Sequence, residues 1–308
     1  MFLLSEVALE LSSVKKKIGK KEIIKGLDLS INKGEVYGFI GPNGAGKTTT
    51  IRMIVGLMKL TSGDVKILGK SIQTEYKSAA RNIGAIVENP ELYPFLTGWK
   101  NLKHYARMYD GISNERIKEV VSLVGLDRAI HDKVGKYSLG MRQRLGIAQA
   151  ILHKPAVLIL DEPTNGLDPA GIREIRDYIR DLAKKENVAV MISSHLLSEI
   201  ELMCDRIGII QQGQLIKESS VHVDDSEALK LKVLIDVQES ERTETLLKGR
   251  GYIVKTEAGK LMLELERQEI PVIVKQLVDE GIEIYGITPV KVTLEEQFLE
   301  LTGGNVIG

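Results

Sequence analysis

Eight consecutive residues, Gly41-Pro42-Asn43-Gly44-Ala45-Gly46-Lys47-Thr48, surround a lysine and a hydroxyl with glycines at a spacing suited to gripping polyphosphate. Gly41, Gly44 and Gly46 carry no side chain, so main-chain N–H groups can close around phosphate oxygens. A helix expected to start near Lys47 would point its unpaired amides at the same anion. Lys47 adds a point charge for terminal phosphates, the Thr48 hydroxyl can ligate Mg²⁺, and Thr49 beside it is a further nucleotide-binding residue. Asn43 and Ala45 complete the cradle. A nucleoside triphosphate is the ligand this pattern fits, although the loop alone does not choose ATP over GTP.

A second group lies after the apolar run Ala156-Val157-Leu158-Ile159-Leu160, which ends in Asp161-Glu162. Two carboxylates at the end of a buried strand occupy the place where parallel sheets hold ligands. Asp161 suits the metal, and Glu162 suits orienting and deprotonating an attacking water. His195, after Ile192-Ser193-Ser194, follows a later apolar strand candidate.

The elements that must carry these residues read as α/β. Glu35–Ile40 is a strand candidate that runs into the glycine loop, and Lys47–Lys59 places Ile51, Ile54, Val55 and Met58 on one helical face. Further strands are expected at 65–69, 83–87, 157–160 and 188–192, and helices at 101–109, 113–124, 141–153 and 170–184. Strand, helix, strand across 157–192 is a right-handed crossover in a largely parallel sheet. Beyond Leu215 the pattern changes. Strict alternation at Leu229, Leu231, Val233, Ile235 and Val237, and again at Leu261, Leu263 and Leu265, predicts strands. Another strand is expected at 282–287, with helices at 272–278 and 294–301.

Lys plus Arg and Asp plus Glu number 42 each, so the chain lacks the basic surplus of nucleic-acid-binding domains, and no nucleic-acid partner is expected. Cys204 is the only cysteine, which rules out an intramolecular disulfide and a thiolate metal cluster and fits a reducing compartment. The first residues, Met1-Phe2-Leu3-Leu4-Ser5-Glu6, do not predict a secretory signal. No apolar run approaches a membrane span, so any membrane role needs another chain.

Tyr137-Ser138-Leu139-Gly140-Met141-Arg142-Gln143-Arg144 is similar to the signature sequence, written LSGGQ, of the ATP-binding subunits of ATP-binding-cassette transporters. Ser138 and Gly140 stand at its serine and second glycine, Tyr137 and Leu139 replace its leucine and first glycine, and Met141 replaces its glutamine. Asn165-Gly166-Leu167-Asp168-Pro169 resembles the family's D-loop, and His195 its switch histidine. The resemblance spans about residues 7–217. It implies a P-loop NTPase of the ABC ATPase type, with a mixed sheet core, an antiparallel subdomain and a helical subdomain at about 89–154. By the same resemblance, Ser138, Gly140 and Met141 contact ATP held by the other subunit of a head-to-tail homodimer, or a heterodimer. Asp168 communicates between the sites, and His195 bonds the γ-phosphate. ATP and Mg²⁺ are the implied cofactors. A transmembrane permease subunit is the implied partner, with the chain peripheral on the cytoplasmic side of the plasma membrane. The alternative within the same fold is a soluble ATPase acting on ribosomes or DNA, but neither a second cassette nor a long coiled coil is seen.

Two positions depart from the family pattern. Glu88 replaces a glutamine that senses Mg²⁺ and couples to the membrane partner. With Asn89-Pro90, it resembles the branch that exports, or confers immunity to, bacitracin and lantibiotics. A carboxylate there contacts Mg²⁺ or water only if its charge is compensated. Ile18 stands where an aromatic ring commonly stacks on adenine. The expected domains are 1–218 for ATP binding, a linker at 219–228, and a small α+β accessory domain at 229–308.

Overall fold

The computed structural model describes residues 6–194, 197–221, 231–257 and 259–290, which fall into two units, 6–221 and 231–290. The first opens with β1 (Val7–Ile18) and β2 (Lys21–Asn32), then β3 (Val36–Ile40), which passes through the glycine loop into α1 (Lys47–Ile54). β4 (Ser62–Ile67) and β5 (Lys70–Ser71) lead through α2 (Tyr76–Ala80) to β6 (Ile83–Ile86). A helical stretch follows: α3 (Gly98–Ala106), α4 (Asn114–Leu123), a 3-10 turn (Val134–Lys136) and α5 (Leu139–Ile151). The unit continues as β7 (Val157–Asp161), α6 (Pro169–Glu186), β8 (Ala189–Ser194), α7 (Leu197–Met203), β9 (Arg206–Gln211) and β10 (Gln214–Ser220).

Two sheets result. One is antiparallel, in the order β2-β1-β4-β5; the other runs β10-β9-β3-β8-β7-β6 and is parallel except at β9–β10. Every residue of β3, β7 and β8 is buried, which explains their near-continuous apolar runs. The two sheets share one core, where Leu9, Leu11 and Leu27 join Phe39, Ile51, Ile159 and Met191. α6 buries Ile175, Ile179 and Leu182 at helical spacing. Because β8 lies between β3 and β7, the carboxyl ends of all three open on one region.

Helix α1 stops short of the expected Lys59. Gly56 adopts φ 78°, and a Cβ there would lie 2.4 Å from the Tyr76 ring, so the chain turns away after Val55. β10 extends past the expected boundary at 218, since Ser219 and Ser220 pair with Ile207 and Arg206.

The second unit runs β11 (Leu231–Val237), α8 (Ser240–Gly249), β12 (Val254–Glu257), β13 (Lys260–Leu265), α9 (Glu269–Asp279) and β14 (Ile284–Val290). Its antiparallel sheet, β12-β13-β11-β14, gives the split βαβ arrangement of ferredoxin-like domains. Val233, Ile235, Leu261 and Leu263 meet Leu247, Ile273 and Leu277 in its core. The expected helix at 294–301 lies outside the described residues.

Candidate nucleotide site

The glycine loop is built by close approach. A Cβ on Gly41 would lie 2.3 Å from the Ile210 carbonyl oxygen. Gly46 holds φ 116°, and a Cβ there would lie 2.6 Å from Ile24 Cδ1. The loop closes on itself through Ala45 N–H donating to the Pro42 carbonyl at 3.1 Å, with Ala45 buried. Lys47 folds back so that its ammonium donates to the Gly41 carbonyl at 2.6 Å. It is 8% exposed. Burial holds this ammonium below the usual lysine range, against the opposing pull of Glu162 and Asp161.

A cleft of about 420 Å³ lies over this loop, lined by Ile23, Pro42, Asn43, Gly44, Gly46, Lys47, Thr48, Thr49, Glu162 and Asn165. The glycine loop and the acid after β7 therefore share one wall, as their order in the sheet requires. Asp161 lies beneath the surface at 3% exposure. Burial pushes its carboxyl above the ordinary range, while hydrogen bonds from Ser193 and Thr48 act in the other direction. Glu162 takes up a left-handed backbone at φ 51°, which turns it out of the strand.

Other expected site residues are placed elsewhere. Ser138 caps α5, its hydroxyl accepting from Met141 N–H at 3.2 Å, and Tyr137 beside it is buried with its hydroxyl on the Ala129 carbonyl. A Cβ on Gly140 would lie 3.6 Å from Leu167 Cδ2, so the signature segment abuts the Asn165–Asp168 loop of its own chain. Ser138, Gly140 and Met141 are not among the residues lining the cleft. Asp168 caps α6, accepting from Gly171 N–H at 3.0 Å. Ile18, at the end of β1, is 52% exposed and does not line the cleft either. His195 lies outside the described residues.

Glu88 sits at φ 68° and forms an ion pair with Arg52 of α1. The compensation its charge demands thus comes from a guanidinium on the helix that follows the glycine loop. Nothing in the 83–91 stretch announced that partner, because it lies 36 positions away in sequence. Sequence reasoning also passed over Ile23 and Ser193, and it placed Asn165 in the D-loop resemblance without a role of its own. A fully buried strand whose apolar run closes on a serine was the available signal for Ser193.

Comparison with known proteins agrees with this geometry. Residues 24–165 match the family model described as ABC transporter. The chain is 53% identical over 301 residues to YhcH of Bacillus subtilis (strain 168), an uncharacterized ABC transporter ATP-binding protein, covering 97% of each chain. It is 41% identical over 297 residues to BcrA of Bacillus licheniformis, a bacitracin transport ATP-binding protein, covering 95% of this chain and 96% of the relative. Among solved structures it resembles the dimeric cassette MJ0796, at 27% identity and TM-score 0.62, over 70% of this chain and 99% of that one. A triphosphate cradle, an acid turned into the same cleft and relatives spanning nearly the full length lead to one conclusion: the chain belongs to the ATP-binding subunits of ABC transporters, P-loop ATPases that act with a separate membrane partner.

Proposed function

We propose that two copies of this chain close head to tail over two molecules of ATP, and that closing and reopening drive a permease. The cargo would be a peptide antibiotic or similar amphipathic compound, exported from the cell or kept from acting on it. The observation that carries the catalytic part is the shared wall of the cleft, where Lys47, Thr48 and Glu162 line one space. Glu162 orients the lytic water and takes its proton, while Lys47 holds the terminal phosphates. The signature residues Ser138, Gly140 and Met141, lying off this chain's own cleft, complete the partner copy's site. Asp168 links the two sites. His195 is assigned to the γ-phosphate on sequence resemblance.

Mg²⁺ fits the donors present. Thr48 and Asp161 offer a hydroxyl and a carboxylate, close enough that Thr48 helps offset the upward push of burial on the Asp161 carboxyl. These are hard oxygens, and Mg²⁺ commonly takes one or two such groups and completes its shell with water and phosphate. Among the described residues no group of three or more His, Cys, Asp or Glu could hold a metal ion alone. When bound, the ion neutralises charge on the β and γ phosphates. We leave Glu88 to Arg52 rather than to the metal.

The permease would dock where aromatic side chains reach solvent around α3. Tyr93 is 39% and Phe95 67% exposed, with ring centroids 5.8 Å apart, and Tyr93 meets His104 edge-on at 5.3 Å. Trp99 and Tyr105 are half-buried. None of the four is a core residue, which favours a docking role. No helix among the described residues is long and apolar enough to cross a membrane; the peripheral place on the cytoplasmic face rests on the family. The likeness to BcrA and the Glu88-Asn89-Pro90 sequence support a peptide-antibiotic substrate.

Glu162→Gln tests the catalytic assignment. Turnover is expected to fall about 10²- to 10⁴-fold while ATP binding persists and ATP-dependent dimers accumulate on a sizing column. Unchanged turnover defeats the general-base role, and a variant that stays monomeric at saturating ATP defeats the sandwich.

A further inference from the structure

Ser193 belongs to β8, directly beside Asp161 of β7 in the parallel register. Its side chain is completely buried, in a run whose preceding members are Val190, Met191 and Ile192. A hydroxyl in that setting is costly unless both its proton and its lone pairs find partners. Here they do. The Ser193 hydroxyl donates to Asp161 Oδ1, and it accepts the Glu162 backbone N–H at 3.1 Å. The same N–H lies 3.1 Å from the Ser193 carbonyl.

We propose that Ser193 is a positioning residue for ATP hydrolysis, one hydroxyl setting the geometry of both acids. This rests on the assignment of Asp161 and Glu162 above. A hydroxyl has a single proton. With that proton committed to Asp161, the oxygen presents lone pairs to the Glu162 amide, so the two bonds reinforce each other's direction. Held at one oxygen by Ser193, the Asp161 carboxylate is restrained from turning, which leaves its other oxygen as an acceptor.

The effect on Glu162 passes through the backbone. A non-glycine residue at φ 51° sits in a sparsely populated region and persists there only where its surroundings over-determine it. Two acceptors from Ser193 on one N–H supply that constraint. The left-handed turn is what delivers Glu162 into the cleft instead of leaving it in line with β7. Removing the hydroxyl frees both acids at once, by distances small enough to leave the phosphate cradle intact. Misplacement of about 1 Å is enough to cost roughly 100-fold in rate.

The test compares Ser193→Ala and Ser193→Thr with the wild-type full chain. Phosphate release, ATP affinity by calorimetry in EDTA, thermal midpoint and amide hydrogen exchange at Glu162 are measured for each. For Ser193→Ala, turnover should fall about 10- to 100-fold, the range expected for losing a hydrogen bond to a charged group. ATP affinity should stay within about twofold, and the Glu162 amide should exchange faster. Ser193→Thr, which keeps the hydroxyl, should recover most of the turnover. Turnover in Ser193→Ala within about twofold of wild type overturns the proposal. So does a loss of turnover matched by equal losses of affinity and thermal midpoint, since a structural role alone gives that. Should Ser193→Ala not fold, the wild-type Glu162 amide decides: exchange as fast as in an exposed loop means the paired acceptors are absent. Glu162→Gln measured alongside keeps the questions apart, because full turnover there defeats the base assignment whatever Ser193→Ala does.

Discussion

Lys47→Met separates what this lysine does for the nucleotide from what it does for the fold. Methionine has nearly the same length and no charge, so it fills the space that Lys47 occupies at 8% exposure. Two effects on the nucleotide-free protein oppose each other. The variant loses the 2.6 Å bond to the Gly41 carbonyl but no longer keeps an ammonium in a site whose burial disfavours its charge. The lost bond is worth roughly 1 kcal/mol net and relief of the buried charge offsets part of it, so the thermal midpoint without ligand should move by less than about 4 °C. Binding is different. A charge-assisted contact to phosphate contributes about 1.5–3 kcal/mol, so ATP should bind about 10- to 150-fold more weakly. At ATP 100-fold above its dissociation constant, the wild-type protein gains about 2.7 kcal/mol. For a unit of this size that gain raises the midpoint by about 5–11 °C. In the variant, the same ATP concentration should raise it by only about 1–6 °C. Differential scanning fluorimetry with and without ATP reads both quantities in one experiment. A full ATP-induced shift in Lys47→Met refutes the phosphate assignment. A ligand-free midpoint lowered by more than about 10 °C would show that the lysine is mainly structural.

Two further substitutions probe the positions where the chain departs from its family. Ile18→Tyr restores a ring at the end of β1, where the side chain is half exposed and free to be replaced without repacking the core. Stacking worth about 0.5–1.5 kcal/mol should tighten ATP binding about 2- to 12-fold and leave inorganic tripolyphosphate unaffected; equal tightening of both would refute adenine stacking. Glu88→Gln removes the ion pair to Arg52, whose partners are 41% and 60% exposed and therefore well screened. Stability should change by less than about 1 kcal/mol, and a drop in thermal midpoint beyond about 4 °C would refute the view that this pair is a solvent-screened contact.

The parallel sheet was legible because its strands have no exposed face. Val157–Asp161 and Ala189–Ser194 are buried throughout, so their sequences are apolar runs with no competing helical period. The antiparallel hairpin was less visible. β1 carries Lys15, Lys16 and Lys17 in a row with several register shifts against β2, and bulges break the alternation that would mark a strand. In the second unit, α8 escaped notice because it buries only Thr243 and Leu247 among ten residues. β12 is four residues long, too short for any period. Their partners β11 and β13 alternate cleanly because one face of each packs on the core and the other does not.

The site divides along a similar line. Gly41, Gly46, Lys47 and Thr48 could be read in order because one loop supplies them, and a loop that wraps a ligand with its own backbone must spell its chemistry in consecutive residues. Asp161 and Glu162 were legible from the strand that precedes them. Ile23, by contrast, reaches the cleft from a separate strand, and nothing local distinguishes it from any other strand residue. Ser193 and Arg52 are the instructive misses. Each acts by meeting a charge or dipole contributed from 31 to 36 positions away, so its role exists only once the sheet is assembled. The residues we propose to contact the phosphates are therefore written locally, whereas those we propose to hold the acids in place are written in the topology. A buried serine or an ion-paired arginine at the margin of a recognised loop is where such positioning should be sought, because burial without a partner is the state that folding does not tolerate.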